Sequence, residues 1–381
     1  MINSLPDWLD PYKWMHLTES SDLKAIEAAI YSKNPTIREL ALLLSPSAKT
    51  FIEPMAQRAK YLTQRYFGKT ISLYSPLYLS NYCNGGCVYC GIAADRRADR
   101  LVLNNKQLSK EIEELSASGI DEIVLLTGER MPEADVDYLE NAIKLSSKKI
   151  SSINIEVFPM LENEYRILAN AGCTGVTLYQ ETYDPIVYEK MHRWGDKRDF
   201  YNRLHAPERA LKGGLRTIGL GALLGLANPV FDMLCLYNHA NYILKNFWQS
   251  GISISFPRIK PQLGEFRANF PVSELMLSQY IFALRICLPT VPLLLSTRES
   301  ATIRDGLAGL GISKMSVASK TTVGGYSSNI EKSTEQFEIS DNRDIKMFCN
   351  ALRRKNLEAV FKNYDSIYRE PVLYEKKVKN K

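Results

Sequence analysis

Short apolar runs rich in β-branched residues recur along the middle of the chain, and between them apolar positions fall instead at three-to-four spacing. The runs are "ISLYSPLYLS" from residue 71, "EIVLLTG" from 122, "SINIEVF" from 152, "GVTLYQET" from 175, "TIGLGALLG" from 217, "ISISFPR" from 252, "PLLLST" from 292 and "KMSVAS" from 314. The helical patterns between them include "KQLSKEIEELSASG", "NEYRILANAG", "CLYNHANYILKNFWQSG" and "SELMLSQYIFALRICL". A glycine recurs at the helix-to-strand joints (Gly119, Gly172, Gly213, Gly251, Gly311), where a left-handed stop costs least for a residue without Cβ. Near-continuous apolar strands alternating with amphipathic helices predict a parallel sheet covered on its outer face. Eight such units close a (β/α)8 TIM-type barrel. The fold class read from the pattern is therefore α/β.

The flanks read differently. Residues 1–70 are mostly helical in pattern ("SDLKAIEAAIYSK", "KTFIEPMAQRAKYLTQRYFG") and form an N-terminal cap, with the barrel over 71–325. Residues 326–381 form a C-terminal helical extension, with a helix in "DNRDIKMFCNALRRKNL" that Asp341 is placed to cap, and a basic tail, "EKKVKNK". Net charge is +6, from 48 basic and 42 acidic residues, which is modest and does not by itself indicate nucleic acid. No apolar stretch approaches the roughly 18 residues needed to span a bilayer, and the N-terminus carries no targeting pattern. A cytoplasmic protein without a membrane or nucleic-acid partner is expected.

Chemistry enters through "NYCNGGCVYCG", residues 81 to 91, which holds three of the seven cysteines. The other four are scattered singly, which is no disulfide framework and suits a reducing compartment. In a TIM-type barrel the loops after the strands carry the chemistry, and this loop follows the first strand. Structural zinc wants four protein ligands, usually as two separated pairs, and none of the four histidines is near in sequence. Three thiolates without a fourth fit a 4Fe-4S cluster held by Cys83, Cys87 and Cys90, with one iron left open to a ligand.

The triplet, with an aromatic, Tyr89, before its last cysteine, resembles the radical S-adenosylmethionine (SAM) superfamily. That resemblance implies that the open iron chelates SAM and that one electron releases a 5'-deoxyadenosyl radical. Tyr89 would lie near the adenine. Thr127, Gly128 and Glu129 resemble the superfamily's motif for the methionine ammonium. Glu156, Gln180 and Glu181 are candidates for the ribose or sulfonium, Gly219 and Gly221 for close backbone approach to the adenine, and Pro257 and Arg258 for the adenine or substrate side. Ordinary rim ion pairs and strand packing are the competing readings of the acidic and glycine positions.

"SPLYLSNYCNGGCVYCG", "IEVFPM", "GVTLYQETY", "IGLGALLGL", "SISFPRIKP", "LSTRES" and "SKTTVGGY" together resemble the aromatic amino-acid lyase branch of that superfamily, and most of all its tyrosine lyases of thiazole biosynthesis. The resemblance implies cleavage of the Cα–Cβ bond of L-tyrosine to 2-iminoacetate and p-cresol, with SAM consumed to 5'-deoxyadenosine and methionine. A planar guanidinium best matches the substrate carboxylate, so Arg298 is the first candidate, with Ser319 adding a hydrogen bond. The competing role for Arg298 is a salt bridge with Glu299 or Asp305. Tyr179, Glu181, His192 and His205 are all conceivable bases for the phenol.

The resemblance further implies a flavodoxin- or ferredoxin-type reductant and direct transfer of the product to thiazole synthase, for which the basic tail is a candidate contact. A tryptophan lyase and a hydrogenase-maturation tyrosine lyase are the alternatives within the branch. The latter needs a second cluster, yet past Cys287 only Cys349 remains. A non-enzymatic alternative is an iron-sulfur scaffold or RNA-binding protein using Arg96, Arg97 and Arg100.

Overall fold

The structure, a computed structural model, describes residues 5–327 and 333–361. Eight strands follow one another in the expected places: β1 (Thr70–Tyr78), β2 (Glu122–Leu126), β3 (Ser152–Glu156), β4 (Gly175–Thr177), β5 (Thr217–Gly221), β6 (Gly251–Ser255), β7 (Leu293–Leu295) and β8 (Lys314–Ser316). All neighbouring pairs are parallel, and β1 pairs with both β8 and β2, so the sheet closes. The chain folds as a (β/α)8 barrel. The pattern did not reveal β9 (Glu358–Val360), which adds to Thr70–Ser72 of β1, short of where β2 begins at Ser75. Three alternating residues are too short a signal to separate from loop.

Two local expectations are corrected. The left-handed stop is real at Gly119, Gly172 and Gly311, but before β5 it falls on Gly214 (φ +100°) rather than Gly213, which stays helical at φ −71°. Gly251 is already the first residue of β6. Asp344, not Asp341, caps helix Ile345–Arg354 through Met347 N–H. Asp341 is instead buried in an ion-pair cluster with Arg304 and Arg343.

The segment before the barrel packs against the barrel's outer helices. Its helix Ile37–Leu43 starts in a capping box formed by Thr36 and Glu39. Gln279, buried on helix Glu274–Cys287, donates to the carbonyls of Leu43 and Ser45 at 2.9 and 2.8 Å. The basic tail of the C-terminal extension lies outside the described residues. Among the described residues no helix is long and apolar enough to cross a membrane.

Barrel interiors are ordinarily filled by layers of bulky side chains. Here the inward positions of β4, β5 and β6 include Thr177, Thr217, Gly219, Ser253 and Ser255, which are too small to fill the space. A cavity of about 500 Å³ opens at the C-terminal ends of the strands and runs down into the barrel. That cavity is where the candidate residues meet.

Candidate active site

The cluster loop leaves β1 and is held from three sides. The stretch after helix Pro185–Met191 runs antiparallel to it: Val88 N–H donates to Met191 at 3.0 Å and Gly86 N–H to Trp194 at 3.0 Å. Arg100 reaches back to the carbonyls of Asn81, Ile92 and Ala93, and Arg96 to that of Val88. Two of the three arginines offered for an external partner therefore staple this loop; Arg97 remains exposed. Gly128 presses against the loop so closely that a Cβ would stand 2.3 Å from the Tyr82 carbonyl oxygen. Only glycine fits there.

Cys83, Cys87 and Cys90 all line the cavity. A Cβ on Gly85 would sit 3.5 Å from the Cys83 sulfur and 3.7 Å from the Cys87 sulfur, inside the cradle they share. The backbone N–H groups of Gly85 and Glu129 both point at Cys83 Sγ at 3.3 Å. Burial, reinforced by Cys90 and Glu129, pushes the Cys83 thiol up to about 11, and burial likewise raises Cys87. These two thiols hold their protons at neutral pH, and a bound cation would draw them off. Among the described residues no three His, Cys, Asp or Glu side chains converge as the ligands of one metal ion would. The histidine brought beside the loop, His192, has its Nε2 on the Tyr89 hydroxyl at 2.7 Å and its Nδ1 at the Tyr188 carbonyl at 2.8 Å. Both ring nitrogens are thus engaged, and His192 is not placed as a fourth metal ligand. Burial holds His192 well below its usual pKa, so the neutral ring donates from Nδ1 and accepts from Tyr89.

At the ends of β2, β3 and β4 the carboxylates separate into paired and open groups. Glu181, in left-handed backbone at φ +71°, binds Lys197 Nζ at 2.6 Å. Burial alone would raise Glu181, but Lys197 and Arg203 hold it below the usual carboxylate range. Glu129 accepts from Arg203 at 3.3 Å through Oε1, while its buried Oε2 bonds to nothing among the described residues. Glu156 faces the cavity with no side-chain partner among them, and burial followed by the neighbouring Glu181 raises it to about 7.

Across the cavity, at the end of β7, the Arg298 guanidinium lies over the Phe337 ring, 3.3 Å from its centroid. Neither anticipated ion-pair partner is available. Glu299 is taken by Arg258, and Asp305 by Arg343. Arg298 thus has no carboxylate partner among the described residues while lining the cavity. Ser319, after left-handed Ala318 (φ +49°), also lines it, with a buried hydroxyl that bonds to nothing among them.

Tyr89, Thr127, Gly128, Glu129, Glu156, Glu181, Gly219, Pro257, Arg298 and Ser319 therefore meet at one cavity with the three cysteines. Three candidates do not. Gln180 turns away, donating to the Phe200 carbonyl at 3.2 Å. Gly221 is absent from the lining because it packs on the Tyr179 ring. The Arg258 guanidinium is occupied by Glu299 and the Val272 carbonyl. Of the four conceivable bases, His205 pairs with Glu208 outside the cavity and His192 serves Tyr89.

Sequence reasoning missed Lys197, Arg203, Gln336 and Phe337. The first two lie in "HRWGDKRDFYNRLH", whose charge density reads as solvated loop, yet it folds over the mouth and buries both.

The model of the Radical SAM superfamily matches residues 77–227, and that of the Biotin and Thiamin Synthesis associated domain residues 255–358. The chain is 38% identical over 342 residues to the 2-iminoacetate synthase of Escherichia coli K12, covering 90% of each. It is 37% identical over the same length to that of Salmonella typhimurium, again 90% of each. Among solved structures, the FeFe-hydrogenase maturase HydG superposes with a TM-score of 0.88 at 28% identity, covering 98% of this chain and 85% of that one.

Proposed function

The chain belongs to the 2-iminoacetate synthase family of radical SAM enzymes, and on that premise we propose how its cavity carries out the family's reaction. The enzyme is a carbon-carbon lyase that cleaves the Cα–Cβ bond of L-tyrosine to 2-iminoacetate and p-cresol, the step that feeds the thiazole ring of thiamine. Membership implies a 4Fe-4S cluster and SAM. Cys83, Cys87 and Cys90 fit as the ligands: three thiols face one cavity, two N–H groups already point at Cys83, and Gly85 leaves their cradle clear. Held there, the cluster and SAM would supply the hydrogen-abstracting radical chemistry that acts on the substrate amino group.

The remaining steps belong to this chain's residues. The open oxygen of Glu129 receives the methionyl ammonium of SAM while Arg203 holds its other oxygen in place. Tyr89, fixed by His192, presents its ring toward the adenine. The observation that carries the substrate reading is Arg298: a cavity-lining guanidinium without a carboxylate partner, matched to the carboxylate of a free amino acid. Ser319 adds a donor beside it. Glu156, raised to about 7, takes a proton from the substrate ammonium, so that the amine is neutral when its hydrogen is abstracted. Thr127, Gly219 and Pro257 shape the walls around SAM.

The hydrogenase-maturation activity named for a structural neighbour stays with that protein; the relative on which this reading rests is the 2-iminoacetate synthase of Escherichia coli K12, 38% identical over 90% of both chains. Because 2-iminoacetate hydrolyses in water, direct transfer to thiazole synthase is its expected fate. A flavodoxin- or ferredoxin-type donor is the expected reductant. The test is anaerobic: the reconstituted protein with dithionite, SAM and L-tyrosine should release p-cresol and 5'-deoxyadenosine, read by mass spectrometry beside an L-tryptophan sample. Deoxyadenosine with no p-cresol would retain the radical chemistry and remove tyrosine as substrate.

A further inference from the structure

Residues 333–341 cross the barrel mouth as a strap between the cluster loop and the ends of β7 and β8. Thr334 Oγ1 accepts from Asp99 N–H at 2.9 Å, and the Gln336 carbonyl accepts from Gly91 N–H at 3.2 Å. On the other side Gln336 N–H donates to Thr321 at 3.1 Å, and Ser340 N–H to Thr297 at 2.9 Å. A Cβ on Gly91 would lie 2.6 Å from the Gln336 carbonyl oxygen, so strap and loop touch backbone to backbone.

The Gln336 side chain has a fixed orientation. The Tyr78 hydroxyl donates to Gln336 Oε1 at 2.5 Å. A hydroxyl can face either end of a carboxamide, so the sulfur decides: as a cluster ligand Cys90 carries no proton and only accepts, and the end that can face it is the amino end. The amino end is thereby directed at Cys90 Sγ, 3.7 Å away, an ordinary N–H···S distance. Neither atom is needed to hold the strap, which the backbone bonds already fix.

We propose that Gln336 is a positioning residue for the cluster: its carboxamide, held by Tyr78, donates to the Cys90 sulfur and raises the cluster's reduction potential. The proposal rests on Cys90 being a cluster ligand. A hydrogen bond to a ligand sulfur stabilises the reduced form, which carries the extra negative charge, more than the oxidised one. Removing the donor therefore makes the cluster harder to reduce.

The experiment is an EPR-monitored redox titration of the reconstituted full chain without SAM, at matched iron content. Gln336→Leu should shift the midpoint to a more negative value. Gln336→Glu keeps an acceptor for Tyr78 but replaces the N–H with an anion, and should shift it further. Tyr78→Phe frees the carboxamide to rotate and should fall between wild type and Gln336→Leu. Midpoints of Gln336→Leu and Gln336→Glu coinciding with wild type would overturn the proposal. If Gln336→Leu loads no cluster, the other two variants decide by the same order. The ligation reading is tested separately by Cys90→Ala, which should lose bound iron; full iron content there would remove the premise, whatever the potentials show.

Discussion

The two sides of the barrel mouth bury charge in opposite ways. Beside β4, Glu181 is closed by Lys197 and both lie against Arg203, which also holds one oxygen of Glu129. Beside β7, Arg298 faces the cavity with only an aromatic ring under it, although Glu299 and Asp305 are near in sequence and paired to other arginines. A buried charge closed by a partner supports the fold even when nothing is bound. One left open is a standing cost that a ligand of opposite sign relieves. The β4 side thus reads as a prebuilt wall, and the β7 side as a receptor.

The sharpest break of this contrast is Arg298→Met. Truncating one member of a buried, hydrogen-bonded charge pair costs about 2–5 kcal/mol of binding, so kcat/KM for tyrosine should fall roughly 30- to 5,000-fold. Unfolding by denaturant should show no loss of stability, because the folded protein sheds an unpaired buried charge. A fall in stability with tyrosine kinetics intact would make Arg298 a structural residue.

Lys197→Met should do the reverse. It leaves Glu181 buried without its closest partner, and breaking such a pair costs about 3–5 kcal/mol of stability, read from the denaturation midpoint. Adding Glu181→Gln should recover much of that loss, since the two side chains act as one unit. An unchanged midpoint in the single variant would mean that the β4 wall is not closed in solution.

Why one side was legible in sequence and the other was not follows from the same contrast. Residues at strand ends announce themselves because the alternating pattern locates the strand and the barrel rule locates its functional end. Glu156, Arg298 and Ser319 were placed that way, at or just past the ends of β3, β7 and β8, whereas Cys83 came from the cysteine triplet and Glu129 from the resemblance to the superfamily's motif. Their partners arrive from elsewhere. Lys197 and Arg203 come from a charged stretch without periodicity, and Gln336 and Phe337 from a strap that meets Tyr78 and Arg298, which lie on either side of β8 in the sheet, Tyr78 also far from the strap in sequence. Side-chain direction past a strand end was also beyond the pattern: Gln180 and Glu181 are adjacent, yet Gln180 bonds the Phe200 carbonyl and Glu181 lines the cavity. The left-handed backbone at Glu181 turns the chain there, and no strand period describes it.

Glu156 sharpens the contrast through pH. Its ordinary value of 4.5 is raised to about 7 in the fold, chiefly by burial. The folded protein therefore keeps a proton that the unfolded chain releases, and the stability this contributes, full below about pH 4.5, is lost as pH rises toward 7. Activity should move the other way. As acceptor of the substrate's ammonium proton, Glu156 must be ionised, so kcat/KM should climb through an acid limb centred near pH 7. Glu156→Gln should remove that limb and flatten the stability slope between pH 4.5 and 7. Retention of the limb in the variant would assign it to another group.

The smallest effect belongs to Ser319. Its hydroxyl is buried and unbonded among the described residues, so Ser319→Ala removes no existing interaction and relieves an unsatisfied polar group. Stability should hold or rise by up to about 1 kcal/mol. If the hydroxyl is kept to bond a carboxylate whose charge Arg298 already meets, KM for tyrosine should still rise, by a few-fold to about tenfold, the net worth of one typical hydrogen bond. Deoxyadenosine formation at saturating tyrosine should be little changed, because that bond is made equally to ground and transition states. A drop in kcat with KM unmoved would place Ser319 at the reacting atoms instead, and the receptor on the β7 side would then consist of Arg298 and Phe337 alone.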